Sequence, residues 1–144
     1  MKKVLLVIGG LMLIGFIASL FNPSKNIPVK LNPNVKIDVA SSVVKFVDGK
    51  HRYFFFIKNN YNQIFHGTIN IELFTNDLIV GKENFDTPQG GIYPNLQKFV
   101  YMDVNTGPPI VHGANGVTKF KYNVIQNNEI VRQGEGFIPN YITN

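Results

Sequence analysis

Nine acidic side chains and three histidines are the groups in this 144-residue chain that could run acid–base or metal chemistry. Glu83 and Asp86 are close in sequence. A glycosidase needs two carboxyls about 5–10 Å apart across a cleft, and this pair is the candidate for a small hydrolase. The other acids fall in turns or at outward strand positions. His51, His66 and His112 show neither the i, i+4 helix spacing nor a short ligand motif that zinc uses, and all three read as surface residues. Ser19, Ser24, Ser41 and Ser42 lie in no Gly-x-Ser-x-Gly elbow. Gln89-Gly90-Gly91 and Asn105-Thr106-Gly107 precede no helix whose positive end could hold a phosphate, so they read as turns. The chain has no cysteine, which excludes disulfides, thiolate metal sites, a cysteine nucleophile and a lipid-modified N-terminal cysteine. The reading is of a protein without catalysis, cofactor or metal site.

A binding site is the other chemistry on offer. Arg52-Tyr53-Phe54-Phe55-Phe56-Ile57-Lys58, Lys98-Phe99-Val100-Tyr101 and Lys119-Phe120-Lys121-Tyr122 interleave cations with rings. Such mixtures occur where stacked rings line a basic groove for single-stranded nucleic acid, and on faces that hold sugars, peptides or anionic polymers. Core packing on alternating strands explains them more simply, and nucleic acid is not expected. Loops at the end of a sandwich commonly carry recognition. Tyr93, Pro94, Pro108, Pro109, Ile110 and His112 place rings and apolar groups on two proline-stiffened loops, where stiffness lowers the entropy lost on binding. These six residues are the expected binding positions.

The elements that must position these groups are strands. From Val35 the pattern has period two, with Val35, Ile37 and Val39 alternating with Lys36 and Asp38. Val43–Val47 is a second apolar run, and Asp48-Gly49 is a hairpin signal because both positions tolerate positive φ. His51 to Lys58 carries rings at consecutive positions, which predicts a central strand covered on both faces. Ile69, Ile71 and Leu73 alternate with Thr68, Asn70 and Glu72. Asn76-Asp77 turns into Leu78–Val80. Leu96 to Val104 alternates again, and Val117–Ile125 pairs with Glu129–Ile138 across Asn127-Asn128. About eight strands, with no convincing helix among them, predict an all-β antiparallel two-sheet sandwich over residues 35–144, with a closed or partly open barrel as the alternative. Segments near Pro88 and Pro108 are expected to cross between the sheets.

Ahead of this body, Lys2-Lys3 precede an uncharged apolar run from Val4 to Phe21. As a helix these residues would span about 27 Å, close to the hydrocarbon thickness of a bilayer. A basic start and apolar centre also fit a signal peptide. Cutting after Ala18 or Ser19 would place Phe16 or Ile17 at the −3 position, where a small residue is wanted, so an uncleaved transmembrane anchor over 1–21 is preferred to a secreted, processed form. Lys2 and Lys3 argue for a cytoplasmic N-terminus, against the weaker pull of Lys25 and Lys30. Residues 22–34, with three prolines and four asparagines, read as a stalk. The net charge of +5 mildly favours anionic surroundings such as lipid headgroups or wall polymers.

Phe56-Ile57-Lys58-Asn59-Asn60, then Ile69-x-Ile71-x-Leu73-Phe74-x-Asn76-Asp77, then a Gly-Gly…Pro loop before the next strand, make Tyr53–Val104 resemble a family of small bacterial extracytoplasmic immunoglobulin-like domains with a Phe-x-Leu-Tyr-Asp motif. Leu73-Phe74-Thr75-Asn76-Asp77 departs from that motif, with Phe for Tyr and an inserted pair before Asp. The resemblance covers about a third of the chain. It implies a surface or wall-facing accessory domain with no shared catalytic site to carry over. The combined expectation is a single-pass, membrane-anchored binding or structural module for a protein partner or a wall component outside the membrane. The alternatives are a surface hydrolase using Glu83 and Asp86, or a subunit of a DNA-handling or secretion assembly.

Overall fold

The computed structural model describes residues 26–105, 116–139 and 142–143; the anchor expected over 1–21 lies outside them. Two four-stranded sheets face each other. The first has the order β5-β2-β1-β8 and the second β4-β3-β6-β7. The strands are β1 (Ile37–Val47), β2 (Lys50–Asn59), β3 (Thr68–Thr75), β4 (Leu78–Asp86), β5 (Gln97–Val104), β6 (Lys119–Gln126), β7 (Glu129–Phe137) and β8 (Ile142–Thr143). All pairings among β1–β7 are antiparallel. The described residues contain no helix.

The apolar runs at Val35–Val39 and Val43–Val47 do not form two strands. They are one strand, β1, with a β-bulge between Ser41 and Val44. Ser42 and Val43 oppose the single residue Phe54, and the extra residue restores the inward phase, so that Ile37, Val39 and Val44 all reach the core. Sequence alternation alone cannot show that a phase slip lies within a strand. The eighth strand is also different from expectation: β8 runs parallel to β1, through Val44↔Ile142 and Lys45↔Thr143.

Left-handed turns set the register of three hairpins. Asp48-Gly49, Asn76-Asp77 and Asn127-Asn128 all have both residues at positive φ, the backbone of type I′ turns, whose twist matches that of the flanking strands. The chain crosses between sheets over 87–96 and 105–118 as expected, and also over 60–67 and between β7 and β8.

The core lies between the sheets. Phe55 of β2 meets Phe120 of β6 edge-on with centroids 5.2 Å apart, and Tyr53, Ile57, Ile69, Ile71, Leu73 and Val124 fill the space around them. β7 contributes two glycines to this layer. Gly134 and Gly136 lie opposite Tyr122 and Phe120, and the rings fold over them. A Cβ at Gly134 would come within 2.4 Å of the Tyr122 ring, and one at Gly136 within 2.6 Å of the Phe120 ring. Gly134→Ala should therefore lower stability by about 1–3 kcal/mol through overpacking, measurable as a lower urea midpoint with an unchanged m-value.

Part of the 22–34 segment does not project from the body. Lys30 N–H donates to the Ile130 carbonyl (2.9 Å), Asn32 N–H to Val131 (2.8 Å), and Ile130 N–H to Pro28 (2.8 Å). Residues 28–32 thus cover the outer edge of β7, which would otherwise expose unpaired backbone groups. Among the described residues no strand pairs with the outer edges of β4 and β5 on the opposite flank.

Candidate ligand-binding face

The rings of β2 do not sit in a doubly covered strand. Tyr53, Phe55 and Ile57 point inward and are fully buried, while Phe54 and Phe56 point outward and are only half-buried. Strands place successive side chains on opposite faces, so a run of consecutive rings must supply both. β5 does the same: Val100 and Met102 are buried, whereas Phe99 is 59% and Tyr101 50% exposed.

Antiparallel pairing then aligns the outward rings. Phe54 lies opposite Tyr101 and Phe56 opposite Phe99. The Phe56–Phe99 centroids are 4.0 Å apart and the Phe54–Tyr101 centroids 5.9 Å. The two pairs form successive rungs, about 7 Å apart along the strands. On the next rung Arg52 faces Asp103. The Arg52 guanidinium donates Nε–H to Asp103 Oδ1 at 2.7 Å and Nη2–H to Oδ2 at 2.8 Å. It also lies over the Tyr101 ring, 4.4 Å from the centroid. The hydrogen bond from Arg52 holds the Asp103 carboxyl below its usual range, and the same bond raises Arg52. The pair fixes a flat cation at one end of the ring cluster.

β1 completes the face. Ala40 lies opposite Phe56, Lys45 opposite Arg52, and Asp38 opposite Lys58. The small, exposed Ala40 leaves the flank of Phe56 open. Asp38 is engaged by Arg132, which donates from β7, and by Asn60 Nδ2 at 2.6 Å. Lys45 and Lys58 form no ion pair among the described residues. The result is a cluster of four rings, tilted within each pair by 46° and 60°, with two ammonium groups beside it that have no ion-pair partner among the described residues. Rings on a rigid sheet are fixed before a ligand arrives, so little entropy is lost on binding.

No protein-family model and no curated protein sequence matches this chain. Solved structures do. A beta-glucosidase from Kluyveromyces marxianus aligns at TM-score 0.38 and 14% identity over 73% of this chain and 14% of that one. A beta-glucosidase from Listeria innocua aligns at TM-score 0.36 and 11% identity over 76% of this chain and 17% of that one. The chain therefore spans less than a fifth of either enzyme, and a superposition this loose places no site in correspondence.

Of the loop residues singled out from sequence, two are described. Tyr93 is exposed and Pro94 half-buried, in the 87–96 crossover. Pro108, Pro109, Ile110 and His112 lie outside the described residues. The two loops leave the body at opposite ends. The first joins Asp86 to Gln97, beside Thr68 and Lys58, and the second starts after Val104, beside His51. Glu83 and Asp86 lie on opposite faces of β4: Glu83 is in register with the inward Ile71, and Asp86 accepts a hydrogen bond from Thr68 Oγ1 at 2.6 Å. Lost hydration, and then the charge of Asp103, raises the Glu83 carboxyl. The structure thus brings the two carboxyls together on neither face of β4. Among the described residues no group of three metal-ligating side chains occurs.

His51 is not a surface residue. It is 1% exposed, points inward beside Phe46 (5.2 Å between ring centroids), and burial lowers its pKa. The folded protein thus keeps His51 neutral, while the unfolded chain takes up a proton below about pH 6.5. Where the unfolded state binds more protons, stability rises with pH. His51 should therefore cost nothing above about pH 6.5, and should destabilise the fold as pH falls from there towards its lowered folded value. Urea midpoints at about pH 7 and about pH 5.5 check this, and His51→Gln should flatten the slope.

Proposed function

We propose that this chain is a non-catalytic, extracytoplasmic binding module of immunoglobulin-like type, tethered to the membrane through residues 4–21, and that the outer face of the β5-β2-β1-β8 sheet holds an anionic, saccharide-containing polymer of the cell wall. The observation that carries this reading is the two-rung array on the outer face, in which the exposed Phe99 and Tyr101 pair with the half-buried Phe56 and Phe54. Rings of this kind are normally turned into the core; here four share the outward face of one sheet, two of them exposed and two half-buried. The carbon–hydrogen face of a sugar ring is apolar and flat, and stacking it on an aromatic platform removes apolar area from water on both sides. Lys45 and Lys58 supply charge for acidic groups along the polymer.

The experiment is co-sedimentation of the full-length protein, in detergent, with purified wall material. Binding should weaken as ionic strength rises, because exposed charges more than about 10 Å apart are largely screened at 0.1 M salt. It should not vanish, because ring stacking is insensitive to salt. Absence of co-sedimentation at low salt would sink the reading.

A protein partner is the second reading. It is favoured by the outer edge of β4, with which no described strand pairs and where Leu78 is 71% and Ile79 55% exposed. An edge with exposed apolar side chains can accept an added strand.

A further inference from the structure

The two ends of the sandwich differ. One, the base, is formed by residues 60–67, 87–96, the turn at 127–128 and the N-terminal segment 26–34. It exposes Ile27, Val29, Leu31, Ile64, Tyr93 and Leu96. Exposed cations, Lys30, Lys36 and Lys58, surround them. Of the described acids at this end, Glu129 pairs with Lys30 at 3.7 Å, Asp38 with Arg132, and Asp86 accepts from Thr68. Apolar residues, tyrosine and lysine together are the composition that settles at a membrane–water boundary.

Chain geometry puts this end next to the apolar run. The pairing of Pro28–Asn32 with β7 runs parallel to that strand, and Val29 lies beside Ile130, the second residue of β7. The chain therefore enters from beyond the base. Five peptide steps separate Phe21 from Asn26, a reach of at most about 18 Å. The headgroup layer is itself about 5–8 Å deep. Because residues 28–32 are held along β7, the prolines and asparagines of the segment add no further reach.

We propose that the base is a docking surface for an anionic lipid bilayer. Its exposed apolar residues and Tyr93 sit among the headgroups, and Lys30 and Lys36 lie against anionic phosphates. The strands then stand away from the membrane, with the four-ring face on the flank of the body and open to the wall. This inference rests on the tethered reading above.

The absence of cysteine makes the test direct. Single cysteines in the full-length chain, labelled with an environment-sensitive fluorophore, are reconstituted into vesicles of phosphatidylcholine and phosphatidylglycerol carrying shallow or deep nitroxide lipids. Labels at Leu31→Cys, Ile64→Cys and Tyr93→Cys should be quenched by shallow nitroxides. Labels at Leu78→Cys and Phe137→Cys, at the far end, should not. Equal quenching at both ends, or none at the base, overturns the proposal. So does a blue-shifted but unquenched signal at the base, which would mean burial against a second copy. Leu11→Cys, read with deep nitroxides, separates the two claims. If it is quenched while the base is not, the tether stands and the docking falls. If it is unquenched while the base is quenched, docking stands and the tether falls.

Discussion

Replacing Phe99 and Tyr101 together by alanine should reduce affinity for the wall polymer on the order of a hundredfold, from a loss of about 3 kcal/mol, with the fold intact. Both rings are at least half exposed, so the fold keeps most of its packing without them. Each is one half of a cross-strand pair, with Phe56 and Phe54, so the double variant breaks both rungs of the platform. Central aromatic residues carry a disproportionate share of binding energy. Tyr101→Phe keeps the ring and should keep most of the affinity. Leu78→Ala, on β4 of the other sheet, should have no effect. Equilibrium binding to solubilised polymer, with circular dichroism of each variant, measures this. Unchanged affinity in the double variant would remove the face from the account.

Phe55→Ala should destabilise the protein by about 3–5 kcal/mol, a large part of the roughly 5–15 kcal/mol that holds a domain of this size together. Phe55 is completely buried and packs edge-on against Phe120. The cavity would open at the middle of the two-sheet core, where neither sheet can close on it without moving its partner. Phe54→Ala, one position along the same strand, removes the same ring from a half-buried outward site. It should cost less, about 1–2 kcal/mol, since that ring keeps part of its surface in water and leaves no closed cavity behind. The paired urea melts test the inward and outward assignment directly. Equal losses at the two positions would contradict it.

The strands were legible in the sequence because their signals are local. Alternation in Ile69-x-Ile71-x-Leu73 showed which side chains turn inward, alternation over Leu96–Val104 showed a strand but not which of its two apolar faces is the inner one, and Asp48-Gly49, Asn76-Asp77 and Asn127-Asn128 showed where hairpins close. The bulge at Ser42–Val43 was not legible. Two apolar half-strands with opposite phase look the same as two strands joined by a bend. The parallel pairing of β8 depends on where the chain returns after β7, which no local pattern encodes.

The candidate site was legible only in its parts. The mixture of rings and cations over Arg52–Lys58 and Lys98–Tyr101 was visible, but consecutive rings in one strand fit burial on both faces as well as exposure on one. Only the register Phe54↔Tyr101 and Phe56↔Phe99 assembles four rings into a surface. That register spans more than forty residues of chain. His51 failed for a related reason: a polar residue at a strand start reads as exposed until the closing sheet covers it.

The account turns on the outer face of the first sheet. The most direct measurement is aromatic carbon–proton NMR of the full-length chain in detergent micelles, titrated with solubilised wall polymer. Saturable shifts at the Phe54, Phe56, Phe99 and Tyr101 rings, with Phe55 and Phe120 unmoved, are the predicted result. Shifts confined to Tyr93 or to the β4-β3-β6-β7 face, or none at saturating polymer, would contradict it.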